Sequence, residues 1–256
     1  MRLAIDDLVS PSKISIKKAS NRFIQMNANT LKLFAVLAMI AQHCAILFIP
    51  QTTNLHMVMY LAGKITAPIM CFFIAEGYFH TSDLKKYSLR LLLGAIISHI
   101  PHALAFGFSI WEFWRATSVM WSLFLGLIAL AVYMKKDLPV ILRILIIGCC
   151  CVLSYPGNWN CIAVLWVLGF GVFRESNGKK WAAFIGVTVL YILEFFVIES
   201  DGGFYFWSRF FVLVVIPLLS MYRGELGRKS KVLQWSYYLI YPVHFVALYM
   251  IQLLIG

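Results

Sequence analysis

The sequence contains little charge for its length. Only 13% of its 256 residues are Asp, Glu, Lys or Arg, whereas a soluble globular domain has about 25%. Acidic residues are the scarcest, with 11 Asp and Glu against 22 Lys and Arg. A hydrophobic content of 61% and a mean hydropathy of +0.82, without a long polar block, exclude an ordinary soluble enzyme and a soluble domain held by one anchor. Any chemistry must therefore use residues within or beside a bilayer.

Nine apolar stretches follow a mixed polar segment. They lie at residues 33–49, 57–79, 88–107, 117–134, 138–154, 160–173, 182–198, 205–221 and 235–255. At about 20 residues a span, nine spans leave room only for a tail and short connections. We therefore predict an all-α polytopic membrane protein. Residues 31–256 form one transmembrane domain of nine helices, or of ten if part of the tail or a loop re-enters.

The segment over residues 1–30 is interpreted as a basic cytoplasmic tail. Its lysines would allow contact with anionic membrane lipid, and plain disorder explains the segment equally well. It does not have the pattern of a cleaved signal, because the polar residues precede the first apolar run and no small-residue cleavage site follows that run.

Basic residues alternate between successive connections of the stretches. The tail and the even-numbered connections hold 16 Lys and Arg, whereas the odd-numbered connections hold Arg115 alone. Because Lys and Arg concentrate in cytoplasmic loops, this asymmetry predicts a cytoplasmic N-terminus and an external C-terminus. The net charge of +11 is thus explained by topology. We expect a multi-pass protein of the plasma membrane with no nucleic-acid partner.

The six cysteines lie in or at the ends of apolar stretches, and none has CxxC spacing. Small apolar packing residues are the simplest interpretation. No metal site is predicted from them.

Polar side chains inside apolar helices are informative because lipid makes them costly. Lys32 opens the first stretch and His43 follows eleven residues later, about three helical turns, so both lie on one face about 16 Å apart. His99 and His244 lie about 18 and 15 Å from the cytoplasmic ends of their stretches. A single histidine in an apolar helix is usually a packing residue, but three at one depth predict a common polar cavity. Depth alone does not bring them together as a zinc site, so no metal is assigned.

The second stretch carries a carboxylate and an imidazole near its cytoplasmic end. Glu76 and His80 are four residues apart and share a helical face. They could pair with each other or with Lys32. Pro68 is expected to bend this helix, and Lys64 lies nearer the outer side, lining a cavity or extending to the headgroups.

Two later sets of polar residues are predicted to face protein. Glu194 and Arg209 reach comparable depths in adjacent stretches and are expected to form an ion pair. Tyr237, Tyr241 and His244 fall at i, i+4 and i+7 of the last stretch, on one face. A polar face of this kind is expected to line a cavity.

These motifs together resemble the TraX family of membrane proteins over nearly all of the chain after residue 30. The matching segments are Lys32 to His43, Gly63 to Pro68, Glu76-Gly77 with His80-Thr81, Lys85-Lys86-Tyr87 leading to Arg90, Ser98 to Pro101, and Tyr241 to His244. The family is named after a conjugative-pilus pilin acetylase. It is similar to the larger acyltransferase-3 group, whose first-span signature is a basic residue, ten intervening residues and a histidine.

The resemblance implies an acetyl-CoA-dependent membrane acyltransferase. It would move acetyl from cytoplasmic acetyl-CoA to a membrane-associated or extracytoplasmic acceptor, either a peptide amine such as a pilin N-terminus or a surface-glycan hydroxyl. Lys32 would hold donor phosphates and His43 would be the general base. The expected catalytic residues are His43, His99, His244 and Tyr241. The expected donor-binding residues are Lys32, Lys64, Glu76, His80 and Arg90.

The chain departs from the family pattern at two positions. Family members commonly have an acidic residue directly before the first-span histidine, where this chain has Gln42. They also commonly have Arg where this chain has Lys64, which removes bidentate recognition of phosphate or carboxylate.

Two other classes of function are compatible with the residues. A proton-linked exporter or flippase of a lipid or glycan intermediate would use the histidines as a proton relay, but it would not need the Lys32 cation and is often internally symmetric. A purely structural partner in assembly of a pilus or secretion machine would need no reactive group.

Overall fold

The computed structural model describes residues 26–114, 116–198, 203–225, 227 and 230–255. The tail predicted over residues 1–30 thus lies mostly outside the described residues, as does Arg115. Within the described ranges the chain is helical, and its only extended pairings are isolated bridges between Met26 and Tyr222 and between Thr117 and Gly157. The prediction of an all-α membrane protein is confirmed.

Eleven α-helices occupy the nine apolar stretches of the described chain. They are α1 (Ala28–Phe48), α2 (Asn54–Gly63), α3 (Thr66–His80), α4 (Leu84–Phe106), α5 (Val119–Met134), α6 (Val140–Leu153), α7 (Asn160–Val172), α8 (Asn177–Ile198), α9 (Phe204–Arg209), α10 (Val215–Ser220) and α11 (Lys231–Ile255). A 3₁₀ segment, Phe210–Val214, joins α9 to α10. Among the residues that the structure describes, four segments are long and apolar enough to cross a membrane, namely Ala28–Phe48, Asn54–His80, Leu84–Phe106 and Trp235–Ile255. The number of crossings stays a prediction.

Polar residues in the short connections set the helix starts. The Asn27, Thr53 and Asp83 side chains accept hydrogen bonds from backbone N–H groups in the first turns of α1, α2 and α4, which satisfies donors that have no partner within the helix. The Lys86 N–H lowers the pKa of Asp83. Gly107, with φ +71°, ends α4 in the left-handed region that favours glycine.

The second stretch is broken, not bent at Pro68 as predicted. Helix α2 ends at Gly63 and α3 begins at Thr66. Pro68 is therefore in the first turn of α3, where the missing N–H costs little because that turn has no carbonyl to bond it. The break leaves Lys64 at the junction of the two helices.

The helices pack so that α1 lies on α2, α4 on α11, and α7 on both α3 and α5. Trp166 of α7 and Phe184 of α8 are among the largest fully buried side chains, and Phe245 of α11 is another. Burial of these rings supplies much of the packing energy. A central space remains between five of the helices, namely α1, α3, α4, α5 and α11.

Candidate functional site

The central space is a cavity of about 700 Å³, called the inner cavity here. It reaches the turn between α3 and α4, which carries Ser82 and Asp83 and is predicted to be cytoplasmic, and Lys86 in the first turn of α4. Lys32, Arg90 and His43 line it farther along. Its volume is within the range of small-molecule and cofactor pockets.

A second space of about 480 Å³ is called the outer cavity. Its lining includes His102 of α4, Lys64 at the α2–α3 junction, Glu194 of α8 and Arg209 of α9. It lacks the residues of the α3–α4 turn and includes Tyr155 and Pro156, which belong to a connection predicted to be external.

One wall is common to the two cavities. Gln42, His43, Asn158 and Trp159 line both. Trp159 and Asn160 are the non-glycine residues with positive φ in the described chain, at +75° and +32°. A bulky residue in that conformation costs free energy and often marks a functional site. His43 is thus one of four residues that line both cavities.

His43 is paired with another histidine. His43 Nδ1 and His244 Nε2 are 3.0 Å apart, joining α1 to α11. The two rings stack with centroids 5.1 Å apart, and each side chain is only 6% exposed. The sequence predicted a common polar cavity for His43, His99 and His244. His43 and His244 are in direct contact, but only His43 lines the cavities.

Hydrogen bonding assigns the proton in this pair. His244 Nδ1 is 3.1 Å from the Ile240 carbonyl oxygen, which only accepts, so His244 Nδ1 carries the hydrogen. Neutral His244 then accepts at Nε2, and His43 donates its Nδ1–H. His43 Nε2 keeps a lone pair, which is what a general base requires.

Tyr241 lies beside the histidine pair, and its hydroxyl also forms a hydrogen bond to the backbone of α5. Its hydroxyl accepts from the Val119 N–H at 3.3 Å, at the start of α5. Its ring centroid is 5.3 Å from that of His244. Tyr241 therefore packs the imidazole of α11 while its hydroxyl proton stays available to the inner cavity, which it lines.

Lys32 and His43 both line the inner cavity, as their shared helical face predicts. Lys32 Nζ is 5.0 Å from the Phe73 ring centroid and 5.7 Å from that of Tyr237. Arg90 also lines this cavity, and among the described residues its buried Nε has no hydrogen-bond partner. With Lys86, three cationic side chains line the same space.

Glu76 is paired with a cation that the sequence does not suggest. Arg174 Nε, in the turn after α7, is 2.8 Å from Glu76 Oε1, and this hydrogen bond raises the pKa of Arg174. His80 Nδ1 donates to the Glu76 backbone carbonyl at 2.7 Å and is 3.8 Å from its carboxylate. The predicted Glu76–His80 pair is present, whereas Lys32 packs on aromatic rings. A pairing across 98 residues leaves no local signal in the sequence.

Lys64 lies in the outer cavity and does not line the inner one. Its Nζ donates to the Tyr191 hydroxyl at 3.1 Å and is 4.6 Å from the Tyr60 ring centroid. Nearby, Arg209 Nη1 is 3.4 Å from Glu194 Oε2, which confirms that ion pair, and Asn160 Nδ2 donates to Glu194 Oε1 at 2.5 Å. Lys64 is therefore separated from the other residues predicted to bind the donor.

His99 is not brought to the histidine pair. Its Nε2 donates to the Ile110 carbonyl at 2.9 Å, and its Nδ1 is 3.2 Å from the Thr117 hydroxyl. These bonds fasten the connection after α4. His99 lines neither cavity. Of the three histidines at a common depth, only His43 and His244 are in contact. In the described ranges no group of three His, Cys, Asp or Glu side chains is arranged to hold a metal ion.

His102 was missed by the sequence reasoning and lies at the site instead. It is on α4, is 5% exposed and lines the outer cavity. The Phe245 ring centroid is 4.8 Å from that of His43 and 5.2 Å from that of His102. The sequence feature that could have indicated His102 is its position one helical turn after His99. Which of the two histidines faces the site depends on how α4 packs on α11.

Comparison with known proteins supports the family resemblance. Residues 27–252 match the TraX protein family. The chain is 26% identical over 239 residues to a protein of Dichelobacter nodosus described as a probable fimbrial assembly protein FimC, serogroup H1, covering 89% of this chain and 96% of that protein. No solved structure matches it. The chain therefore belongs to the TraX family.

Proposed function

We propose that this protein is an integral-membrane acetyltransferase with its donor and acceptor sites on opposite sides of His43. Acetyl-CoA enters the inner cavity from the cytoplasm, and the acceptor enters the outer cavity. The single observation that carries the proposal is that His43, with a free Nε2 lone pair, lines both cavities.

The inner cavity suits the donor. Coenzyme A carries several phosphates, which cationic side chains bind through charge-assisted hydrogen bonds. Lys32 and Arg90 supply two cations, and the Arg90 Nε lacks a hydrogen-bond partner in the described chain. The apolar lining beyond them, including Met39 and Leu123, suits a slender arm that extends toward His43.

The chemistry needs one base and stabilisation of a developing oxyanion. The acceptor nitrogen or oxygen attacks the thioester carbonyl, and its proton moves to His43 Nε2 as the new bond forms. The C–S bond then breaks and the thiolate takes that proton. His244 orients His43 and shares the developing charge, which is the role of the third group in other nucleophile–base arrangements. The Tyr241 hydroxyl is a candidate donor to the oxyanion.

A peptide amine is the preferred acceptor class, with a glycan hydroxyl as the alternative. The similar protein from D. nodosus is described as a probable fimbrial assembly protein. By that similarity we infer that the N-terminal amine of a pilus or fimbrial subunit is the acceptor. The relation to the acyltransferase-3 group stays a prediction.

The test is acetyl transfer by the purified protein in lipid nanodiscs. Radiolabelled acetyl-CoA is supplied with a short synthetic peptide bearing a free α-amine, with the same peptide blocked at its N-terminus, or with a surface-glycan fragment. We expect label on the free peptide and none on the blocked one. A membrane extract is supplied as a further source of acceptors. Absence of transfer to the free peptide, the glycan fragment and the extract would overturn the proposal and favour the exporter or the structural assembly partner.

A further inference from the structure

His102 is the residue at the site that the mechanism above does not use. It lines the outer cavity together with His43 but is absent from the inner one. Its Nδ1 is buried and has no hydrogen-bond partner within the described chain. A buried polar atom without a partner costs free energy, so it needs an explanation.

Packing keeps the His102 imidazole beside His43. Its ring centroid is 5.0 Å from that of Phe106, whose centroid is 5.8 Å from that of His43. Phe245 contacts both histidines from α11. Two shared aromatic neighbours leave His102 little freedom, so it is a fixed group on the acceptor side.

An amine acceptor makes a demand that a hydroxyl acceptor does not. An α-amine has a pKa of about 7.7–8.0 and arrives mostly as an ammonium at neutral pH. An ammonium must lose one proton before it can attack and a second as the amide forms. His43 handles only the second, which it returns to the departing thiolate, so the first proton needs another acceptor on the outer side.

We propose that His102 takes the first proton of the acceptor ammonium in the outer cavity. This inference rests on the proposed function. The ammonium gives one proton to His102, and the resulting amine attacks the thioester carbonyl. Its second proton passes to His43 Nε2 and then to the thiolate as the C–S bond breaks. His102 releases its proton to water in the outer cavity. The sum is ammonium plus thioester giving amide, thiol and one proton.

Other ionisable groups surround His102 and are common to every variant compared below. On its own helix is His99, while His43 and His244 face it from α1 and α11. The outer cavity also contains Lys64, Glu194 and Arg209. The informative quantity is therefore the ratio of wild-type to variant activity at each pH, because titration of the shared groups cancels in it.

The experiment measures acetyl transfer to the free α-amine peptide from pH 6.5 to pH 9 in nanodiscs, for wild type and His102→Gln. The variant can acetylate only peptide whose α-amine is already neutral. That neutral fraction is about 3% at pH 6.5 for a pKa near 8. We expect the wild-type to variant ratio to fall by roughly 30-fold from pH 6.5 to pH 9. The matched control is His56→Gln, which changes a buried histidine of α2 that lines neither cavity, and its ratio should stay constant with pH.

A second acceptor separates proton removal from packing. A peptide with a blocked α-amine and a C-terminal hydrazide offers a nucleophile that stays neutral over this pH range, so His102→Gln should acetylate it within a few-fold of wild type throughout. If His102→Gln does not fold, His102→Asn supplies the same comparison. A ratio that is large at every pH with both acceptors overturns the inference. Wild-type transfer to a hydroxyl acceptor alone also overturns it, while no transfer by wild type means that the proposed function itself is wrong.

Discussion

The His43 imidazole is oriented by a second histidine. The residue directly before this histidine is Gln42, which carries no charge. The structure supplies an orienting group from elsewhere, because His244 accepts the His43 Nδ1–H and is itself fixed by the Ile240 carbonyl. A neutral imidazole in place of a carboxylate avoids a buried negative charge, which would be costly in this setting.

His43→Gln should lower turnover by roughly 10²-fold or more, since positioned acid–base catalysis contributes about 10² to 10⁴. Glutamine keeps polarity but has no basic lone pair at neutral pH. The measurement is single-turnover acetyl transfer, with binding of acetyl-CoA as the control that should persist. Retention of most activity by a folded His43→Gln protein would make His43 a packing residue.

The His244 variants test orientation separately. His244→Leu should lose activity because His43 Nδ1–H then has no acceptor, whereas the amide oxygen of His244→Gln can still accept and should preserve more of it. Equal activity of the two variants would contradict the orienting role.

Lys32→Ala should weaken acetyl-CoA binding more than it slows turnover at saturating donor. A phosphate contact far from the thioester acts in the ground state and the transition state alike, so its loss appears mainly in KM. Donor affinity is measured by titration in nanodiscs, with Lys136→Ala as the control, because Lys136 is exposed and lines neither cavity. An unchanged affinity would remove Lys32 from the donor site.

For the helices, the spacing of apolar and polar residues predicted local features correctly. It did not predict features that depend on contacts between helices. The apolar runs gave the helical regions, and 3.6 residues per turn placed Lys32 and His43 on one face, because both properties depend only on neighbouring sequence. The break at Lys64 and the choice of His102 over His99 depend on helices distant in sequence. The Arg174–Glu76 pair has the same origin.

The α1–α2 contact gives an element-scale prediction. A Cβ on Gly63 would lie 2.3 Å from Gln42 Cβ, so the helices must separate to accept any side chain there. Gly63→Ala should destabilise the protein by about 1–3 kcal/mol, the usual cost of overpacking. Thermal unfolding in detergent measures it. Gly63→Ala combined with Gln42→Gly should recover part of the loss, and Gly178→Ala, where nothing lies within 4 Å, is the control. Equal stability of Gly63→Ala and wild type would contradict the close contact.

In the whole molecule, His43 lines both cavities. The inner cavity reaches the α3–α4 turn and Lys86 at the start of α4, and the outer one includes Tyr155 before α7. From the asymmetry of the basic residues we predict that these ends face opposite compartments. The arrangement would let acetyl cross the membrane plane while the charged coenzyme stays on one side.

Two vesicle preparations test this sidedness. Acetyl-CoA is multiply charged and does not cross a bilayer unaided, so its compartment can be chosen. In inverted vesicles with the α-amine peptide sealed inside, acetyl-CoA added outside should label the peptide, because the inner cavity then faces the added donor. In right-side-out vesicles the same addition should give only background labelling, and permeabilising them with detergent should restore it. Equal labelling in sealed vesicles of either orientation would mean that the donor reaches the site from both faces, and the inner cavity could then not be its dedicated route.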